Sequence, residues 1–124
     1  MNKVEIFQEI INAWLEKDMQ RFLSNLTVDV RYTECYGAQY VGKVECEKWF
    51  LHWTDSAKNF VKSWEIKSAH FDEDTGFFMW TFNCVYQGKE NIFDGISKVK
   101  FDGNRISEIQ EFEQKHEKFR PMKG

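Results

Sequence analysis

Glu34 is the side chain of this sequence best placed for chemistry. From Val28 onward the residues alternate: Val28, Val30, Tyr32 and Glu34 share one face, while Asp29, Arg31, Thr33 and Cys35 share the other. A carboxylate therefore closes an otherwise apolar strand face. Against aromatic walls its charged form is disfavoured, and the raised pKa suits proton abstraction near neutral pH. The competing reading is a solvated rim carboxylate paired with Arg31 or Lys43, because charged side chains mostly stay exposed.

Other chemistries find less support. His52 falls on a helix, His70 near a strand end and His116 in the tail, without the i, i+4 spacing of a zinc helix or an obvious acidic partner. They read as surface histidines, and no metal site is expected. Cys35, Cys46 and Cys84 have no CxxC spacing and no adjacent base, so neither a zinc knuckle, a disulfide framework nor an activated nucleophile follows. Cys46 and Cys84 read as small core hydrophobes, and Cys35, beside Glu34, as a thiol at the mouth of a pocket. No Gly-rich phosphate cradle follows a strand, so no nucleotide cofactor is expected.

The elements that must position Glu34 are legible from periodicity. Val4, Phe7, Ile11, Trp14 and Leu15 recur at helical spacing behind an Asn2/Glu5 capping box, which predicts a helix over about residues 3–16. Asp18 can cap a shorter helix bearing Met19, Phe22 and Leu23, completing a helical hairpin. After the Glu34 strand, residues 36–42 read as a loop. Cys46, Trp49, Phe50, Trp53 and Ala57 then trace one face of a third helix, whose two tryptophans should face a sheet. Four strands follow, over Phe60 to about His70, Phe77–Gln87, Asn91–Phe101 and Arg105–Glu113, separated by turn-forming segments and so paired antiparallel. The Phe77–Gln87 strand is aromatic or apolar on both faces, which predicts a central strand covered on both sides.

Composition agrees with one domain. Aromatic residues make up 17% of 124 residues, enough for an aromatic core or pocket with Trp53, Trp80 and Phe82 as walls. The net charge of −3 with mixed signs offers no footprint for nucleic acid. No signal peptide or membrane span is evident, and with unpaired cysteines a cytoplasmic protein is the expectation. The apolar outer sheet face predicts a homodimer. Residues 1–113 form the expected domain, with 114–124 a charged, frayed tail.

The order helix, helix, strand, helix, long antiparallel strands resembles the nuclear-transport-factor-2-like superfamily, particularly its SnoaL-like and ketosteroid-isomerase-like branches. The carrying residues are Ile11-Asn12-Ala13-Trp14 with Lys17-Asp18, Glu34-Cys35-Tyr36-Gly37 before Tyr40-Val41-Gly42-Lys43, and Phe93-Asp94-Gly95-Ile96-Ser97 leading to Phe101-Asp102-Gly103. The resemblance implies an α+β fold: a cone-like curved antiparallel (mixed) sheet wrapped around the helical hairpin and third helix, open to a small apolar molecule. It places Glu34 where the isomerases carry their catalytic base. It also puts Trp14 where a tyrosine donor is expected and Ser97 at the acidic donor position, with Asp94 close by. Neither substitute equals the isomerases' donor pair, so steroid isomerisation itself is not implied. Three functions stay open. One is a cofactor-independent isomerase, cyclase or hydrolase of a small carbonyl compound, with Trp14, Tyr32, Tyr36 or Ser97 orienting it. The others are a non-catalytic ligand-binding module and a protein-interaction module.

Overall fold

In the computed structural model, which describes Met1–Gly124, helix α1 (Lys3–Glu16) begins where the sequence requires. The Asn2 side chain accepts from the Glu5 N–H, and the Glu5 carboxylate accepts from the Asn2 N–H. The helix ends at Lys17, whose φ of 54° turns the chain, and Asp18 caps α2 (Met19–Ser24) by accepting from the Arg21 N–H. Arg21 donates back to Glu9 and Glu16 on α1 and closes the hairpin. The buried stripe of α1 is Ile6, Phe7, Ile10, Ile11 and Trp14; Val4 is instead partly exposed.

Six strands form one open sheet in the order β2-β1-β6-β5-β4-β3. They are β1 (Leu26–Thr33), β2 (Gln39–Val41), β3 (Phe60–Asp72), β4 (Thr75–Tyr86), β5 (Lys89–Asp102) and β6 (Arg105–Lys115), with α3 (Gly42–Thr54) between β2 and β3. All pairings are antiparallel except β1 with β6, which makes the sheet mixed. The architecture is the expected α+β cone, with three helices against the concave face. The β4–β5 hairpin turns on Gln87 and Gly88, both at positive φ, as a two-residue connection between twisted strands demands. No helix is long and apolar enough to cross a membrane.

Several local expectations need correction. Val28 is 79% exposed, because a register shift between Leu26 and Arg31 breaks the alternation; only Val30 and Tyr32 of that face point into the core. The 36–42 loop contains a short strand, β2, that pairs with β1. Helix α3 stops at Thr54, before Ala57. Strand β4 is interior but lies next to the edge strand β3 rather than at the centre, and its outward Met79 is half-exposed in the single chain. The tail begins later than expected: β6 runs through Gln114 and Lys115, and the His116 and Lys118 side chains bond to Asp94.

Gly95 is required by packing. It sits opposite Trp80 in the β4–β5 ladder, and a Cβ there would meet the Trp80 ring and lie 2.5 Å from the Phe112 carbonyl oxygen. Backbone cannot yield as a flexible side chain can. Gly95→Ala should therefore cost about 1–3 kcal/mol, the usual range for overpacking, read from the denaturant midpoint. An unchanged midpoint would mean that the indole shifts freely and that the wall it forms is soft.

Candidate functional site

The concave face of the sheet and helices α1 and α3 line a cavity of about 500 Å³. All five tryptophans of the chain, Trp14, Trp49, Trp53, Trp64 and Trp80, line it. They hold one another by aromatic packing: Trp49 stacks on Tyr40 with ring centroids 4.3 Å apart, Trp14 meets Trp53 edge to face at 5.6 Å, and Trp64 meets Trp80 edge to face at 5.7 Å. The wall is thus rigid and suited to a small, mainly apolar molecule.

Two carboxyl groups interrupt this wall. Glu34 follows the last residue of β1 in a tight turn, where its N–H donates to the Ala38 carbonyl and its own carbonyl accepts from the Gly37 N–H. The turn carries the side chain into the cavity, where the Tyr40 hydroxyl donates to Oε1 at 2.7 Å. Burial pushes its pKa up, and the Tyr40 hydrogen bond partly opposes this. No Lys or Arg pairs with it, so the pairing with Arg31 or Lys43 in the competing reading is absent.

The second carboxyl belongs to Glu111 on β6, which the sequence reading did not single out. Its Oε2 accepts from the Tyr32 hydroxyl at 2.7 Å. Burial pushes its pKa up to about 8; the Tyr32 hydrogen bond lowers it and the nearby Glu34 charge raises it. The parallel register pairs Tyr32 with Ile109 and Thr33 with Gln110, so one further step along both strands brings Glu34 beside Glu111. The Glu34 charge thus acts on Glu111, and the ionisation of the second group depends on that of the first.

The candidate residues divide between cavity and elsewhere. Glu34, Trp14, Tyr32, Tyr36, Trp53, Trp80 and Phe82 line the cavity, Tyr36 at its mouth with 67% exposure. Tyr32 is not a free donor, since its hydroxyl hydrogen is spent on Glu111. The Trp14 indole N–H is buried without an acceptor. Ser97 does not line the cavity. It is fully buried behind the wall, where its Oγ accepts from the Trp80 Nε1–H at 2.9 Å and fixes that indole.

Asp94 lies on the outer face of the sheet, because it pairs with outward Thr81 while its neighbour Gly95 pairs with inward Trp80. There Thr81 donates to Oδ1, His116 Nδ1 lies 2.9 Å from that oxygen and Lys118 lies 2.8 Å from Oδ2. Lys118 and His116 hold the Asp94 carboxyl well below its usual range. His116 thus has the acidic partner that the sequence did not suggest, and His52, exposed on α3, also reaches the cavity rim. Cys35 does line the cavity, but burial pushes its thiol up to about 12, which leaves it inert as a nucleophile.

The SnoaL-like domain family matches residues 7–109 of the chain. No curated protein sequence matches it. Among solved structures, a protein from Catenulispora acidiphila with a ketosteroid isomerase-like fold, in complex with trimethylamine, is 18% identical with a TM-score of 0.77, over 90% of this chain and 86% of that one. An LEH-like epoxide hydrolase of M. tuberculosis is 13% identical with a TM-score of 0.79, covering 90% and 81%. A protein from Shewanella denitrificans described as a SnoaL-like polyketide cyclase is 14% identical with a TM-score of 0.74, covering 90% and 89%. At these identities the likeness is one of fold.

Proposed function

The chain belongs to the SnoaL-like domain family, and from that premise we propose that it binds a small, largely apolar carbonyl compound and moves a proton on it with Glu34 as general base. The observation that carries the reading is Glu34 itself: a carboxylate inside an aromatic cavity, without a cationic partner, held by one hydrogen bond from Tyr40. Desolvation raises its pKa and so strengthens it as a base, while the Tyr40 hydrogen bond works the other way and favours the ionised form. The hydrogen removed would be one next to the carbonyl. The names carried by structures of this fold, an epoxide hydrolase and a polyketide cyclase among them, are in keeping with a small-molecule substrate.

A second reading, binding without turnover, draws on a specific feature. The hydroxyl hydrogens of Tyr32 and Tyr40, the two phenols beside the carboxyl groups, are both committed to carboxyl oxygens and are not free to meet an oxyanion there. Deuterium exchange separates the two readings. Small aryl ketones incubated with the protein in D2O should gain deuterium next to the carbonyl faster than in buffer, as followed by proton NMR. Ketones that bind without exchanging would leave a carrier or sensor, and ketones that do not bind would remove the cavity reading.

The outer face bears on assembly. Phe60, Met79, Ile92 and Phe112 project there and are 40–50% exposed. A second copy packed on this surface would cover them, and the working form we propose is a homodimer. Sedimentation at micromolar concentration should give twice the 14.9 kDa chain mass, and a monomer there would reject it.

A further inference from the structure

The general-base reading leaves Glu111 without a task, although burying a second carboxyl beside the first is costly. We propose that the molecule taken by this cavity carries a cationic amino group, seated against Glu111 among the tryptophans; the inference rests on the proposed reading of the cavity as the ligand site. The charges around the cavity are one-sided. Glu34 and Glu111 line it, no Lys or Arg does, and its one basic ring, His52, lies at the exposed rim. Glu113, two residues beyond Glu111 on the same face of β6, adds negative charge near Cys35 and Tyr36 at the mouth. Such a lining draws cations inward and disfavours anions.

The wall has the matching chemistry. Aromatic rings present negative faces to a cation, tryptophan most strongly, and an organic ammonium desolvates far more readily than a metal ion. A neutral ligand would leave both carboxyl groups uncompensated in an apolar enclosure. An ammonium gives them a counter-charge, and where Glu111 holds a proton in the empty cavity that proton leaves to solvent as the cation enters.

The same charge supplies what Tyr32 and Tyr40, whose hydroxyl hydrogens go to the carboxyl groups, do not. When Glu34 takes the proton from the carbon beside the carbonyl, the electron pair of that C–H bond forms the C=C bond of an enolate and the carbonyl π pair moves onto the oxygen. An ammonium on the substrate stabilises that developing negative charge without a dedicated pair of protein donors. The proton on Glu34 can then return to the substrate, so the step needs no oxidant or reductant. The substrate class is accordingly an apolar amine that bears a carbonyl.

Quenching of tryptophan fluorescence provides the test, since every indole of the chain lines the cavity. The probes are benzyltrimethylammonium and its uncharged carbon isostere, neopentylbenzene. The cation should bind at least about tenfold more tightly, the scale of one desolvated cation–π contact with a counter-charge. Glu111→Gln, whose amide oxygen can still accept from Tyr32, should bring the two probes to near parity while circular dichroism reports an unchanged fold. Equal affinity in the unmodified protein would overturn the proposal, as would a preference that survives in Glu111→Gln. If only the isostere binds, the amine is rejected and the cavity reading stands; if neither probe binds, both fall.

Discussion

Glu34→Gln should slow deuterium exchange on a bound ketone by about 10²–10⁴-fold, the usual contribution of a positioned general base. The fold should survive, because the glutamine oxygen can accept the same hydrogen bond from Tyr40 that Glu34 Oε1 accepts at 2.7 Å. Ligand affinity should change far less than turnover, since the lost group acts on the reacting proton rather than on the apolar body. A companion variant makes the role specific. Tyr40→Phe removes the one interaction that lowers the Glu34 pKa. The base would then ionise at higher pH, and the acidic limb of the rate profile should move upward while the rate at high pH persists. A Glu34→Gln protein that exchanges ketone protons at the original rate would assign the chemistry elsewhere and leave Glu34 a wall residue.

How much of this was legible before the structure depends on where the period of two holds. The helical hairpin followed directly from Asn2, Glu5 and Asp18, because caps are local signals. The long hairpins of β3 to β6 followed from their turn residues. Glu34 was found because Tyr32 and Glu34 keep the alternation after the irregularity near Val28 has passed. Glu111 was missed for the opposite reason. Phe101 pairs with Ile106 but Lys100 with Glu108, so Ser107 is an extra residue in β6 and the parity flips there. Counted without that bulge, Ile106 and Phe112 share the apolar face and Glu111 points outward. In the structure Ile106, Ile109 and Glu111 share the inner face, and Phe112 lies outside, half-exposed.

Asp94 and Ser97 show a different limit. Both stand in the segment that carries the family resemblance, and an odd spacing of three puts them on opposite faces of β5. What the sequence did not contain is depth. Ser97 is on the inner face, but the Trp80 ring from the neighbouring strand covers it, so a possible donor to a ligand became the acceptor that orients a wall residue. Trp49 was expected to face the sheet, but its stack on Tyr40 was hidden, because it crosses two elements and no single-element pattern encodes it.

The stability of the protein should carry the signature of Glu111. A carboxyl group whose folded-state pKa lies near 8, against an unfolded value near that of an ordinary glutamate, contributes stability fully present below the unfolded value and lost as pH rises through the folded one. The wild type should therefore weaken relative to Glu111→Gln between about pH 4.5 and pH 8. A shift of this size corresponds to a ceiling of nearly 5 kcal/mol, and because Glu111 keeps some accessible surface we expect about 2–4 kcal/mol. Denaturant midpoints of the two proteins at pH 5 and pH 8.5 measure the difference directly. Tyr32, Glu34, Cys35, Tyr36, Tyr40, His52, Cys84 and Tyr86 share the cavity but are present in both proteins, so they cancel except through their coupling to Glu111. Tyr32 and Cys35 also feel Glu111, but both are pushed up beyond this pH range, whereas the Glu34 charge raises the Glu111 pKa itself. In a Glu34→Gln background the pH-dependent gain from Glu111→Gln should accordingly shrink and end at lower pH. A stability difference constant from pH 5 to pH 8.5, with carboxyl NMR reporting an ordinary glutamate pKa at position 111, would place Glu111 in solvent and remove the seat proposed for a cation.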